Sequence, residues 1–204
     1  MRVFVIRHGE TEFNEQGLIQ GNIDSSLTPL GVQQSYLIAE ELKGCDLDFI
    51  FSSPALRAYS TAKPLSIPRS IPIAVVPGLR EREYGIYEGK SLEETQKAHP
   101  ELFATTSSKI DLDVKPKGGE SLREVAGRVL PFVERLKSHL GDKTIAIVAH
   151  GIVNKLIIGD LADCSLDKIT TYRQSNGCIN EILLEKGKGK AIRLNYTEHL
   201  KKKA

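Results

Sequence analysis

Four runs of the sequence are apolar at nearly every position instead of at every second one. They cover residues 3–6, 49–51, 71–76 and 144–149. A strand with one face in water alternates in polarity, whereas a strand covered on both faces does not. Strands covered on both faces are typical of a mainly parallel sheet with helices packed on each side. The sequence therefore predicts a three-layer α/β fold.

Helix signals occur between these runs. Thr28 before Pro29 is an N-cap followed by proline at the first helical position, and this helix is expected to end at Gly44. The pair Ser53-Pro54 repeats the start signal. A longer amphipathic helix is predicted by apolar residues at three- and four-residue steps. These residues are Leu122, Val125, Val129, Phe132, Val133, Leu136 and Leu140.

The C-terminal part predicts a β-hairpin, because the runs 178–184 and 191–194 flank a Gly-Lys-Gly turn around Lys188. A chain of 204 residues is long enough for one α/β domain and short for two, so residues 1–204 are expected to form a single domain. The segment 86–119 has the least regular pattern and is a candidate cap segment.

Composition excludes several function classes. Lys plus Arg number 28 and Asp plus Glu number 26, and no basic stripe is interleaved with aromatic residues, so nucleic acid is not an expected partner. No apolar run approaches the roughly 18 residues of a membrane helix, and a signal-peptide pattern is missing. We expect a cytoplasmic protein that does not bind membranes. Cys45, Cys164 and Cys178 form no C-x-x-C pair, which favours buried thiols over disulfides or a zinc site.

Two of the predicted strands end in the same dipeptide. The first run is followed by Arg7-His8-Gly9, and the fourth by His150-Gly151. If both strands are parallel members of one sheet, both histidines lie at its carboxyl edge, where open α/β sheets place their ligand sites. Each glycine would let the backbone approach a ligand closely. One pocket is therefore expected to hold both histidines.

Two arginines are expected at the same edge of the sheet. Arg57 lies in the first turn of the helix after the second run, and Arg7 directly precedes His8. Together with His150 they form a cationic, donor-rich cluster, which is unfavourable unless an anion of matching charge lies among them. A phosphoryl group meets that requirement.

The pentapeptide Arg7-His8-Gly9-Glu10-Thr11 resembles the signature of the histidine phosphatase superfamily, in its phosphoglycerate-mutase-like branch. Other motifs resemble the same family, in order, over most of the chain. They are Asn14 with Gln20-Gly21, the second-arginine motif at 52–58, the acid-bearing loop at 79–85 with Glu88-Gly89, the helix start at 118–121 and the second-histidine motif at 149–151.

The resemblance implies a reaction that needs no cofactor or metal. His8 attacks phosphorus and forms a phosphohistidine, which water then cleaves. Arg7 and Arg57 offer planar forks to the phosphate oxygens, and His150 offers a further donor. The adjacent arginines also disfavour an imidazolium and so help to keep His8 nucleophilic.

A carboxyl group is needed to protonate the leaving alcohol and later to deprotonate water. In the family's spacing the acid lies four residues before the loop glycine, and Glu81 stands at that distance from Gly85. Glu81 is therefore the predicted general acid and base, and Glu83 is its competitor. For Glu10, a salt bridge and a catalytic role both stay open.

The substrate is expected to contact residues on both sides of the first histidine motif. Besides the two arginines, the resemblance implies contacts from Asn14, Gln20, Gly21 and Gly151. The alcohol half of the substrate is left open, as is the oligomeric state, which includes a homodimer.

The leading prediction is a metal-independent phosphatase of small-metabolite phosphomonoesters. The alternative is a cofactor-dependent phosphoglycerate mutase, but such mutases resemble longer chains with an arginine-rich insertion after the acid loop, and 86–119 contains no arginine. A non-catalytic phospho-ligand binder is disfavoured by the presence of both His8 and Glu81. A two-histidine metal site at His8 and His150 is disfavoured because the neighbouring arginines repel a cation.

Overall fold

The structure, a computed structural model, describes residues 1–103, 111–163 and 172–201. Within these residues, six strands form one sheet in the order β3-β2-β4-β1-β5-β6. The strands are β1 (Arg2–Arg7), β2 (Phe49–Ser52), β3 (Ile73–Val75), β4 (Thr144–Ala149), β5 (Ile179–Glu185) and β6 (Lys188–Tyr196). Strands β1 to β4 are parallel, and β5 and β6 run antiparallel to their neighbours. The predicted, mainly parallel α/β sheet is confirmed.

Helices cover both faces of this sheet. The α-helices of the described ranges are α1 (Glu12–Glu15), α2 (Pro29–Glu41), α3 (Leu56–Ser66), α4 (Leu92–Ala98), α5 (Leu122–His139) and α6 (Gly151–Leu161). Short 3-10 helices lie at Ile67–Arg69, Pro77–Leu79, Gly85–Tyr87, Pro100–Leu102 and Glu198–Lys201. None of these helices is long and apolar enough to cross a membrane.

The two faces explain why β1 is apolar at each of its four central positions, Val3 to Ile6. Val3 and Val5 pack with residues of α5 and α6, whereas Phe4 and Ile6 pack with residues of α2 and α3. All four side chains are fully buried. Each residue removed from water in this way contributes about 1.5–3 kcal/mol of hydrophobic free energy, which fixes the register of the central strands.

Several element boundaries differ from those predicted. Helix α2 starts as expected, because the Thr28 hydroxyl accepts a hydrogen bond from the Gly31 amide, but it ends at Glu41. Helix α3 begins two residues after Pro54, with Ala55 at the N-cap and no side-chain cap. The Ser53 hydroxyl accepts from the Ala55 amide instead.

Strand β3 covers only the middle of the predicted run 71–76. The hairpin turn was predicted around Lys188, but it lies just before that residue. Lys186 and Gly187 both have positive φ angles, of 50° and 76°, which is the geometry of a tight turn between two strands.

Cys178 is buried as expected and Cys45 is half-buried, whereas Cys164 lies outside the described residues.

The register of the sheet brings three strand ends to one level. Arg7 of β1 lies beside Ala149 of β4, and Ser52 of β2 lies beside Val148. The residues that follow, including His8 and His150, therefore leave the sheet side by side at its carboxyl edge.

Candidate active site

His8 is buried at the end of β1, with 3% of its surface exposed. Its Nδ1 atom lies 2.7 Å from the carbonyl oxygen of Gly9. Because a carbonyl oxygen only accepts, Nδ1 carries the proton and Nε2 keeps its lone pair. Burial, reinforced by the charges of Arg7 and Arg57, holds the pKa of His8 well below its ordinary value. The ring is therefore neutral, with Nε2 as a nucleophilic atom.

His150 packs edge-on against this ring. The ring centroids of His8 and His150 are 5.2 Å apart and their planes make an angle of 62°. His150 is fully buried, and its Nε2 atom lies 2.8 Å from the Ser53 hydroxyl. Burial lowers the pKa of His150 well below its ordinary value, and the charge of Arg57 adds to this effect. The fold thus places the two histidines in contact at the ends of their strands, as the sequence predicted.

Arg7 lies at the last position of β1, where one of its guanidinium nitrogens donates to the carbonyl oxygen of Gln174. Its Nε atom is buried and has no hydrogen-bond partner among the described residues. Burial lowers the pKa of Arg7 from its ordinary value. A buried guanidinium with an unsatisfied donor is stabilised by an anion within reach.

Arg57 approaches the same place from the first turn of α3, and it is only 1% exposed. Its guanidinium donates to the carbonyl oxygen of Gly21 at 2.8 Å and pairs with Asp24 at 2.9 Å. Asp24 therefore neutralises part of the predicted cationic cluster, a counter-charge that the sequence analysis did not include. The Arg57 Nε atom, however, is buried and has no hydrogen-bond partner within the described part of the chain.

Glu81 belongs to the loop that precedes the 3-10 helix Gly85–Tyr87. One carboxylate oxygen accepts from the Arg82 amide at 2.9 Å, and the other accepts from the Ile152 amide at 3.3 Å. The second bond places the carboxyl group at the N-terminus of α6, next to Gly151. Glu81 thus faces the carboxyl edge of the sheet.

The carboxylates of Glu83 and Glu10, the other two acidic residues considered in the sequence analysis, bond to loop and helix-cap residues. Glu83 accepts from the side-chain amide of Asn22 at 2.7 Å and lies 3.6 Å from Arg80. Glu10 accepts from the hydroxyl of Thr28, the N-cap residue of α2, at 2.9 Å. Glu83 and Glu10 therefore hold loops and a helix cap together.

A cavity of about 280 Å³ joins most of these groups. Arg7, His8, Arg57, Glu81 and Gly151 all line it. His150 is not among the residues that line it, but its ring packs against that of His8, and its buried Nδ1 atom has no hydrogen-bond partner among the described residues. The cavity can therefore present a neutral imidazole, two guanidinium groups and a carboxyl group to one small anion.

The predicted substrate contacts Asn14, Gln20 and Gly21 also line this cavity. Asn14 closes the cap of α1, and Gln20 donates to the Thr11 hydroxyl at 2.8 Å. Gly21 has a positive φ angle of 54°, and a Cβ atom there would lie 1.9 Å from a carboxylate oxygen of Glu88. The positive φ angle favours glycine at that turn, and any side chain there would have to displace Glu88.

Gly9 is needed for a reason that the sequence does not reveal. A Cβ atom on Gly9 would lie 2.4 Å from the carbonyl oxygen of Gly31 in α2, so it allows close packing of two backbone segments. At Gly151 a Cβ atom would make an ordinary contact, 3.6 Å from Glu81. Gly9 thus allows close approach of a helix, and the expected close approach of a ligand stays a prediction.

The sequence profile of the histidine phosphatase superfamily (branch 1) matches residues 3–197. The chain belongs to this superfamily. Phosphoserine phosphatase 1 of Hydrogenobacter thermophilus is 30% identical over 200 residues, which are 98% of this chain and 94% of that protein. The adenosylcobalamin/α-ribazole phosphatase of Escherichia coli is 28% identical over 182 residues, or 89% of each chain.

The fold of this histidine phosphatase is shared with solved structures. A crystal structure of Entamoeba histolytica phosphoserine phosphatase in complex with phosphoserine has a TM-score of 0.84 and 28% identity, with 98% of both chains covered. Family and relatives together identify the chain as a phosphoric monoester hydrolase.

Two arginines that the sequence analysis missed shape the acid loop of this histidine phosphatase. Arg82 is 2% exposed and donates to the carbonyl oxygens of Glu120 and Leu102, both at 2.8 Å. Arg128 of α5 donates to the carbonyl oxygen of Glu81 at 2.9 Å and pairs with Glu120. These bonds fix the backbone that carries the candidate acid.

The outer part of the histidine phosphatase cavity also escaped prediction. Tyr84 and Phe103 stack with their ring centroids 5.6 Å apart, and both line the cavity together with Ile152 and Lys155. Phe103 belongs to the segment 86–119, of which residues 104–110 lie outside the described residues. Aromatic pairs and single lysines have no sequence motif of their own, so the sequence did not predict this part of the cavity wall.

Proposed function

We propose that this protein hydrolyses small-metabolite phosphomonoesters through a phosphohistidine on His8, without a metal. The observation that carries the proposal is the environment of the His8 ring, which is neutral, has Nε2 unprotonated and shares one cavity with Arg7, Arg57 and Glu81. Relatives that are named as phosphatases of phosphoserine and α-ribazole phosphate support a small metabolite as substrate.

In the first step, Nε2 of His8 attacks phosphorus while the bond from phosphorus to the alkoxide oxygen breaks. Arg7 and Arg57 take up the charge of the equatorial phosphate oxygens through donors that include their buried, unpartnered Nε atoms. His150 orients the His8 ring and supplies a further donor. Protonated Glu81 transfers its proton to the departing alkoxide.

In the second step, the carboxylate of Glu81 removes a proton from water as the water oxygen attacks phosphorus. The bond between Nε2 and phosphorus breaks, and inorganic phosphate and the starting form of His8 result. Glu81 suits both steps because the amides of Arg82 and Ile152 orient its two oxygens. Asn14, Gln20, Gly21 and Gly151 form the wall against which the phosphoryl group is held.

Phosphoglycerate mutase activity is the second candidate, and the positions of the lysines disfavour it. A mutase must hold the released intermediate while it turns, which requires additional cations around the cavity. Lys97 pairs with Glu93 and Lys115 pairs with Glu124, each at the protein surface. Neither lysine lines the cavity, and among the described lysines only Lys155 of α6 does.

A panel of phosphomonoesters assayed with and without a chelator tests the proposal. We expect release of inorganic phosphate at the same rate in both conditions, and loss of this release in His8→Ala. Activity that disappears with chelator and returns with added Mg²⁺ would overturn the metal-independent mechanism. Interconversion of 2- and 3-phosphoglycerate that outpaces phosphate release would establish the mutase instead.

A further inference from the structure

Lys155 is a cation in the cavity wall to which the proposed hydrolysis assigns no role. It lies in α6 four residues after Gly151, and residues at this spacing share one face of a helix. Gly151, Ile152 and Lys155 all line the cavity that contains His8. Lys155 also lines the adjoining chamber, which lacks Arg7, His8 and Arg57, so it is positioned to contact a part of the substrate other than the phosphoryl group.

The electrostatic state of Lys155 is linked to Glu81. Burial lowers the pKa of Lys155, and the negative charge of Glu81 acts in the opposite direction. For the proposed first step Glu81 must be protonated, and so uncharged, when the substrate binds. A second anion on the substrate would supply the negative charge next to Lys155 until Glu81 has given its proton to the alkoxide.

We propose that Lys155 binds a carboxylate on the alcohol half of the substrate, so that the preferred substrates are phosphomonoesters of hydroxy acids. This inference rests on the proposed function of the cavity. It assigns the phosphoryl group to Arg7 and Arg57, and the second anionic group of the substrate to Lys155.

The surroundings of Lys155 favour a carboxylate over a second phosphate. The adjoining chamber of about 200 Å³ is lined by Tyr84, Phe103 and Ile152, which are mainly apolar, and by the carboxylates Glu101 and Asp111, which repel a doubly charged phosphate more than a singly charged carboxylate. Arg82 lines the same chamber, but its guanidinium already donates to the carbonyl oxygens of Glu120, Leu102 and Val114. A single ammonium matches the single charge of a carboxylate, whereas phosphate sites usually combine several donors.

Two substrates that differ only in the carboxylate test this inference. Phosphoserine and phosphoethanolamine have the same type of primary alkoxide as leaving group, so Glu81 has the same task with both. We expect wild-type protein to prefer phosphoserine. In Lys155→Met the ratio of the two kcat/KM values should fall about 10- to 100-fold, the range for losing one charge-assisted contact.

The control variants separate binding of the carboxylate from an effect on Glu81. Lys155→Arg keeps the charge and should restore most of the ratio, and Lys90→Gln should keep it, because the Lys90 ammonium lies over the Tyr87 ring and away from the cavity wall. An equal loss for both substrates in Lys155→Met would show that Lys155 acts through Glu81 and would overturn the inference. So would a wild-type enzyme without preference for phosphoserine, while phosphohistidine formation on His8 would still support the proposed function.

Discussion

The Nδ1 atom of His8 lies 2.7 Å from the carbonyl oxygen of Gly9, the next residue in the chain. This short contact fixes the tautomer of the ring, because the carbonyl oxygen can only accept. Nε2 is then the unprotonated atom, and burial beside Arg7 and Arg57 keeps it so by lowering the pKa of His8. The proposed nucleophile is therefore in the tautomer that the reaction needs before any substrate is bound.

The lowered pKa values of His8 and His150 predict a stability that depends on pH. In the unfolded chain both rings titrate near 6.5, whereas in the folded chain they stay neutral well below that value. The unfolded state therefore binds more protons just below pH 6.5. The free energy of unfolding should fall as pH decreases through this range, by up to about 1.4 kcal/mol per pH unit for each ring.

Urea unfolding of wild type and His8→Asn at about pH 7.5 and about pH 5.5 measures this effect. The wild type should lose more stability on acidification than the variant, because the variant has one fewer buried neutral ring. Equal losses in both proteins would mean that His8 is not held neutral by the fold.

The role of Glu81 predicts a dependence on the leaving group. Glu81→Gln should severely slow phosphorylation of His8 by an alkyl phosphate, since an alkoxide needs a proton to depart. It should largely spare phosphorylation by p-nitrophenyl phosphate, whose leaving group departs unaided. The measurement must be a single-turnover phosphorylation rate, because water attack in the second step also needs the base.

Glu83→Gln is the matched control for this experiment, since Glu83 bonds to Asn22 outside the cavity. Its phosphorylation rates should stay close to wild type with both substrates. If the leaving-group dependence appears in Glu83→Gln, or if Glu81→Gln slows both substrates equally, the acid has been assigned to the wrong carboxyl group.

Arg57→Ala should lower kcat/KM by about 100-fold or more, the usual effect of removing one preorganised donor to a transition state. Binding of vanadate should weaken as well. Because Arg57 also bonds to Gly21 and Asp24, the melting temperature must show that the variant is folded. Arg69→Ala is the control, since the Arg69 guanidinium donates to the carbonyl oxygens of Leu65 and Leu42. Wild-type kinetics in a folded Arg57→Ala would remove this arginine from the site.

Ser53 is predicted to hold the tautomer of His150. The Ser53 hydroxyl accepts from the Ala55 amide and can donate its proton to Nε2 of His150, 2.8 Å away, which leaves the ring proton on Nδ1. Ser53→Ala should lower kcat by about tenfold, the upper range for one neutral hydrogen bond, and His150→Ala by about 100-fold or more.

Ser52→Ala provides the comparison for Ser53→Ala, because Ser52 is equally buried but donates to the carbonyl oxygen of Ser53 instead. Steady-state kinetics and thermal unfolding of both variants are required. An equal loss of activity in Ser52→Ala and Ser53→Ala would point to a packing defect and not to the tautomer of His150.

The fold was predictable where burial determines the pattern. Val3 to Ile6 are apolar at every position because α5 and α6 cover one face and α2 and α3 the other, so the sheet and its parallel strands follow from hydrophobicity alone. Boundaries were less predictable where a side chain has another task. Ser53 resembles a helix cap, but its hydroxyl bonds to His150, and α3 therefore begins at Leu56.

The site was predictable where residues follow strand ends and match family motifs, as His8 and Arg57 do. The parts contributed by distant segments were not. Asp24 pairs with Arg57 from a loop, Arg128 holds the acid loop from α5, and Lys155 reaches the cavity from α6. Each of these contacts depends on the final packing, and none has a spacing that distinguishes it from an ordinary surface residue.

Trapping of the covalent intermediate tests the central claim most directly. Wild-type protein quenched during turnover of a ³²P-labelled phosphomonoester should carry acid-labile, base-stable phosphate, and peptide mapping should place it on His8. Folded His8→Ala should carry none and should release no phosphate. Label retained by His8→Ala, or wild-type label that is stable in acid, would contradict the account.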